Sequence, residues 1–337
     1  MAVRIITDSG SDCLPGEHPN LDVLPLSIAF GDTTYSADVD LTRERFYELL
    51  VEGDEFPTTG QVNPFAFSQA ISRAQEAGDD VVILALSSKL SGTHQSAATA
   101  ASQADGSTEV HVVDTKSVTV GQHILVDYAL RLVEEGRSAA EVAAAVEAAA
   151  DRVCLVALLD TLEYLKRGGR ISAAAGTLGE MLSIKPVITV ADGEVAILGK
   201  ARGSKNGRNL LRQQLESAGG IDFDMPVMVG YTGLSDKLLR KYLEDSRSVW
   251  EGGIAEQDVP SVMVGATIGT HVGPAPLRWR TSRRHSVLSN DVFSRPSLSV
   301  GMIRAESEGR FAILLRRVAE PPAPASGRME MFVYAVI

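Results

Sequence analysis

Hydroxyl-bearing residues crowd the ends of apolar segments in this chain, and chemistry would sit there. Residues 81–86 (Val-Val-Ile-Leu-Ala-Leu) form a continuous apolar run, followed by Ser87-Ser-Lys-Leu-Ser-Gly-Thr93 and His94. A buried strand, a Ser/Gly loop and a helix start bring unpaired N–H groups and a partial positive charge to one point, which suits an anion. Ser91 or Thr93 would cap the helix and also offer a hydroxyl to a ligand; capping alone is the ordinary use of such a serine. The pattern G-x-x-x-x-G-K-[ST] is absent, so this is not a Walker loop.

Four more stretches have suitable residue types. Pro57-Thr-Thr-Gly60 makes a rigid loop rich in donors, readable also as a turn and helix cap. Arg167-Gly-Gly-Arg170 places two arginines around a glycine turn, where Arg170 could orient a carboxylate or phosphate or sit solvated at a helix C-terminus. Thr267-Ile-Gly-Thr-His271-Val-Gly-Pro274 sets His271 between glycines that permit close backbone approach. The loop with Asp8, Ser9 and Asp12 has carboxylates that could hold Mg²⁺, or that simply cap turns. The six histidines lie far apart without H-x-x-x-H spacing, and Cys13 and Cys154 show no C-x-x-C spacing. No metal site, disulfide framework or cofactor is therefore expected.

The elements that must position these residues alternate in type. Residues 3–6, 21–30, 81–86 and 110–113 read as strands, and 64–77, 92–103 and 123–135 as helices. Thr42 is a plausible N-cap for a helix closed by Gly53, and Ser138-Ala-Ala-Glu141 is a capping box. This rhythm predicts a parallel sheet covered on both faces, hence an α/β domain over 1–155. Beyond it, 153–159 reads as strand, 161–167 as helix and 173–184 as a close-packed helix. Val187–Val190, Asp192-Gly193 and 195–198 predict a hairpin with a type I′ turn. Residues 209–218 and 237–244 read as helices, and 227–231 and 263–268 as strands. An α+β domain with a mixed sheet is expected over 156–274.

The chain has 337 residues, 45% hydrophobic and 22% charged, with a formal net charge of −11. That balance disfavours nucleic acid as a partner. The longest apolar runs fall far short of a bilayer span, and the N-terminus turns polar too early for a signal peptide. A cytoplasmic protein without stable membrane insertion is expected.

Taken together, in this order, the motifs resemble the DegV family of bacterial fatty-acid-binding proteins. They are Ile5-Ile-Thr-Asp-Ser9, Pro57-Thr-Thr59, Ser87 to Thr93, Asp160-Thr-Leu-Glu-Tyr-Leu165, Arg167-Gly-Gly-Arg-Ile-Ser172, Lys185-Pro186 and Ile268-Gly-Thr-His-Val-Gly-Pro274. The resemblance implies a two-domain DegV-like fold that buries one long-chain fatty acid, such as palmitate, between its domains. It implies a carboxylate held by Thr59 and Ser91, with Gly92 and Thr93 in the same loop, and Arg170 and His271 near the exposed end. It also implies a non-enzymatic subunit that presents the acid to a separate fatty-acid kinase for acyl-phosphate formation. One departure lies at Gly60, where many relatives carry serine. The competing readings are a phosphotransferase or esterase using Asp8, Ser9 and Asp12, or Ser91 with His271, and a DNA-binding regulator resting on the basic tail.

That tail, residues 275–337, is a break in composition. It holds ten Arg, no Lys and five acids, a balance of +5 that leaves −16 for residues 1–274. The family continues past Gly-Pro with Gly-Ala and a short apolar strand, whereas this chain reads Ala275-Pro-Leu-Arg-Trp-Arg280. As codons, residues 274–280 are CCN GCN CCN CTN CGN TGG CGN. One G restored after the first codon gives CCN GGC NCC NCT NCG NTG GCG, which permits Pro-Gly-Ala followed by small and apolar residues. A one-base frameshift is thus the expected origin of 275–337, against a genuine appendage with apolar segments at 311–315 and 331–337. Sequencing the locus and weighing the natural protein will show the restored frame; an in-frame 337-residue product overturns it.

Overall fold

A computed structural model of the chain describes residues 2–53, 55–171, 184–274 and 332–336, the last as backbone only. All of them belong to one compact unit. In the first half, β1 (Val3–Asp8), β2 (Leu21–Leu24), β3 (Ser27–Phe30) and β4 (Thr33–Ser36) precede α1 (Arg43–Glu52). Then come β5 (Thr58–Gly60), α2 (Pro64–Ala77), β6 (Asp80–Ala85), α3 (Thr93–Ala101), β7 (Val110–Asp114), α4 (Thr119–Glu134) and α5 (Ala139–Ala150). The order β2-β1-β6-β7 makes a four-stranded sheet, parallel throughout. Every residue of β6 is buried, as a central strand covered on both faces requires.

Local signals explain most of these elements. Thr42 accepts from the Arg45 N–H and starts α1. Asn63 caps α2, Pro64 takes its first position and Gly78 closes it in the left-handed conformation. Ser138 and Glu141 form the capping box of α5. The expected strand over 21–30 is two strands, because Pro25 lacks the N–H a ladder needs. There β3 leaves the parallel sheet and joins the antiparallel sheet β4-β3-β5. The Pro-Thr-Thr segment is accordingly a strand rather than a loop, with Thr59 opposite Ile28. Helix α4 begins one turn before the expected start at His123.

The second half contains β8 (Val153–Leu158), α6 (Glu163–Arg167), β9 (Ile184–Ala191), β10 (Glu194–Arg202), α7 (Ser204–Ser217) and β11 (Val229–Tyr231). Next follow α8 (Lys237–Asp245), α9 (Arg247–Trp250), β12 (Ser261–Met263), α10 (Ala266–Val272) and β13 (Phe332–Val336). Their sheet has the order β10-β9-β8-β13-β11-β12, with β9 antiparallel to both neighbours and the rest parallel. Asp192 and Gly193 both have positive φ, as the type I′ turn demands. The helix expected over 173–184 lies outside the described residues, save Ile184, which opens β9.

Two findings bear on the site. The expected strand over 263–268 is wrong: the strand stops at Met263, and α10 carries His271. Gly265 ends it by donating its N–H to Asp12 Oδ1 at 2.8 Å. Small residues then let α10 press on α1, where a Cβ at Gly269 would stand 2.6 Å from Phe46 and 2.9 Å from the Tyr47 hydroxyl. In addition, a segment of the arginine-rich tail, β13, fills the slot between β8 and β11. One hydrophobic cluster runs from Val3 to Ile268 and includes both β6 and β8 residues. Gly269→Ala should cost about 1–3 kcal/mol by overpacking, read as a lowered urea midpoint with unchanged slope; an unaltered midpoint would show that α10 is free to shift.

Candidate functional site

Beyond the carboxyl end of β6 the chain makes the loop from Leu86 to Gly92 and enters α3. Ser87 anchors it by donating its hydroxyl to the Gly193 carbonyl at 2.7 Å, so the turn of the β9–β10 hairpin sits on this loop. Ser91 Oγ accepts from the Thr93 N–H at 3.2 Å and lies 3.0 Å from Thr93 Oγ1. Thr93 Oγ1 in turn accepts from the Val62 N–H at 3.3 Å. Thr93 Oγ1 keeps a second lone pair, so either hydroxyl can donate within the Ser91–Thr93 pair. When Thr93 donates, Ser91 accepts twice and its own O–H is available to donate outward.

Thr59 is oriented from the other side. Its Oγ1 lies 3.0 Å from His271 Nε2. Burial, with the nearby Arg170 charge, lowers the His271 pKa to about 4, so the ring is neutral at pH 7. His271 Nδ1 is buried without a hydrogen-bond partner, against Gly168, where a Cβ would stand 2.2 Å away. An unpartnered lone pair is cheaper to bury there than an unpartnered N–H, which favours the proton on Nε2. Nε2–H then donates to Thr59, and the Thr59 hydroxyl is left to donate elsewhere. Arg170 gives Nε to the Leu90 carbonyl at 3.2 Å and Nη1 to the Gly168 carbonyl at 2.6 Å. Gly60, the departure noted above, is explained by Ser27: a Cβ at Gly60 would stand 2.4 Å from its hydroxyl.

Thr59, Ser91, Arg170 and His271 all line one pocket of about 730 Å³. Four of the six site residues named from the sequence thus line one pocket. Gly92 and Thr93 stand behind it: Gly92 packs on Gln61 and Thr93 holds Ser91. The remaining lining is chiefly apolar: Leu90, Leu165, Ile268 and Val272 lie within the quoted motifs, and the strand residues lie outside them. Leu155 and Ala157 of β8, Ile188 and Val190 of β9, and Val195 of β10 face Leu26, Leu86, Leu90 and Val118. Their alternation on strands was readable, but which face met the pocket depended on sheet order.

The Asp8, Ser9 and Asp12 loop is a frame, not a cation site. Asp8 accepts from the N–H groups of Gly10 and Leu86, both at 2.9 Å, and from Gln122 at 3.2 Å. Its pKa is raised to about 6 by burial, which those hydrogen bonds oppose. Asp12 accepts from Thr119 and Gly265, and Ser9 Oγ meets Thr267 Oγ1 at 2.8 Å. Arg43 closes the frame on Asp38, the Asp12 carbonyl and the Met263 carbonyl. Each group invoked by the phosphotransferase reading is already engaged. Among the described residues no helix is long and apolar enough to cross a membrane.

Known proteins share this fold. A family profile described as "Uncharacterised protein, DegV family" matches residues 2–277. A DegV domain-containing protein of Caldanaerobacter subterraneus is 33% identical over 282 residues, spanning 81% of this chain and 95% of the relative. The solved structure titled as fatty acid binding of a DegV family protein from Thermus thermophilus superposes with a TM-score of 0.69 at 32% identity, over 81% of this chain and 96% of that one. A stearic-acid-binding protein from Eubacterium ventriosum matches with a TM-score of 0.68 at 26% identity, over 81% and 95%.

A titration tests the geometry. The unfolded chain takes up the His271 proton near 6.5 and the folded chain only near 4, so stability rises with pH across that window. His271→Gln should flatten that part of the stability profile. Gly168→Ala, by displacing the ring, should return its NMR titration toward the ordinary value; an unmoved titration would refute the packing argument.

Proposed function

Because this chain belongs to the DegV family, we propose that it binds one long-chain fatty acid in the 730 Å³ pocket. The carboxylate is gripped by the Thr59 and Ser91 hydroxyls, and the alkyl chain lies along Leu155, Ala157, Ile188 and Val190. The observation that carries the reading is the pairing of two pre-set hydroxyl donors with an otherwise apolar cavity. Neutral donors and Arg170 satisfy a carboxylate without a fully buried ion pair. About 15 methylenes at ~0.8 kcal/mol each give on the order of 12 kcal/mol of gross transfer free energy. Ordering the chain and desolvating the head cancel much of it. The tail therefore supplies affinity and the hydroxyls fix register.

The same residues point to the role. Arg170 and His271 are only partly buried, so the acid's head lies where a second protein reaches it. We assign the chain to the cytoplasm as the lipid-carrying subunit of a fatty-acid kinase, with phosphoryl transfer performed by the partner. The relatives bound to fatty acids support the ligand class, and the engagement of Asp8, Ser9 and Asp12 weighs against catalysis in this chain.

Protein purified from bacteria should release C14–C18 acids on denaturing extraction, seen by mass spectrometry. Thr59→Val with Ser91→Ala should weaken palmitate binding by roughly 3 kcal/mol, about a hundredfold, without loss of helix content. Folded protein that carries no lipid and takes up neither palmitate nor oleate would overturn the proposal.

A further inference from the structure

A second cluster lies away from the pocket mouth, where the loop after β1 meets α4. Cys13, Glu17 and His123 each offer a ligand atom, and these atoms all lie within 4.8 Å of one another. Cys13 and His123 are deeply buried, at 1% and 3% exposure, while Glu17 stands at the surface. The imidazole is the unexplained group. His123 Nδ1 is buried with no hydrogen-bond partner, and Nε2 has only Asp127, at 3.8 Å, beyond hydrogen-bond reach. A buried imidazole left without hydrogen bonds beside a thiol and two carboxylates lacks the partner that would justify its burial.

We propose that Cys13, Glu17 and His123 form a zinc site, with the Asp127 carboxylate beside the other ring nitrogen of His123 and a water completing the tetrahedron. Sulfur, imidazole and carboxylate together suit Zn²⁺ better than Mg²⁺ or Ca²⁺, which take oxygen. Tetrahedral zinc sets its donors about 3.3–3.8 Å apart, so the cluster must contract by roughly 1 Å. Glu17 supplies that movement from its surface turn, where it now accepts the Leu14 N–H. His18, in the same turn, is directed to Glu134 instead. The ligands at 13, 17 and 123 escape sequence inspection because they share no motif; only the fold brings the loop to the helix.

The site also has a consequence for the pocket. Cys13 follows Asp12, and His123 lies one turn beyond Thr119, the residue that donates to Asp12 and lines the pocket. A metal bridging loop and helix would stiffen that wall, whichever ligand the pocket takes.

The experiment uses the whole chain, stripped with a chelator and titrated with Co²⁺ and Zn²⁺. One Co²⁺ per chain should give tetrahedral visible bands and a thiolate-to-cobalt charge-transfer band, and Zn²⁺ should displace it and raise the melting temperature. Cys13→Ser should abolish the charge-transfer band, and Cys154→Ser should leave it. Glu17→Gln, an exposed change that leaves the fold intact, should weaken Zn²⁺ at least tenfold. A cobalt spectrum without the thiolate band, or Zn²⁺ affinity unchanged in Glu17→Gln, overturns the proposal. Fatty-acid extraction from the same samples is read separately, so failure here leaves the lipid reading standing and the reverse.

Discussion

The hydrogen bond between His271 and Thr59 is the contact on which the site depends, and it joins parts of the chain 212 residues apart. It forms only if α10 lies against α1 and β5. That placement is enforced by the buried carboxylate of Asp12 on the Gly265 N–H and by Ser9 on Thr267. Burying these carboxylates is costly, and each is stabilised by N–H, hydroxyl, amide or guanidinium donors fixed in the backbone. The same frame fixes Leu86 through Asp8, and so the loop that carries Ser91. One polar network thus sets both hydroxyls.

Those hydroxyls are held by neutral partners. Thr93 Oγ1 accepts from the Val62 N–H and shares a hydrogen bond with Ser91, and His271 is neutral because burial and Arg170 both disfavour a second proton. The Thr59 and Ser91 hydroxyls both line the cavity. The pocket thus takes its polar groups from Thr59, Ser91, Arg170 and His271 and its apolar ones from β8, β9 and β10.

Much of this was legible because local chemistry settled it. Asn63-Pro64 and Gly78 bound α2 at the residues expected, and Asp192-Gly193 fixed the hairpin register. Thr59, Ser91, Arg170 and His271 were found by motif, and the structure gathers them. The failures came where tertiary contacts decided. Met263 to Ile268 has β-branched and apolar residues suited to a strand, yet Gly265 is bound by Asp12 and Gly269 fits only against Phe46, which turns the segment into helix. Thr58–Gly60 is too short to announce a strand and becomes one by pairing with β3. The pocket's apolar wall depends on sheet order, which no periodicity encodes.

The slot between β8 and β11 connects that wall to the arginine-rich tail. Both strands present parallel ladders to it, and an empty slot would leave two rows of buried N–H and C=O groups unpaired. A strand entering directly after α10 would satisfy both ladders. Pro276 and Arg278 cannot serve there, since proline breaks the ladder and a charge has no place in a central strand. Apolar Phe332–Val336 takes the position instead, with Tyr334 opposite Leu155 and Val336 opposite Ala157. Both partners on β8 line the pocket, so this strand pairs with part of the pocket wall. The slot is thus filled by backbone from the far end of the sequence.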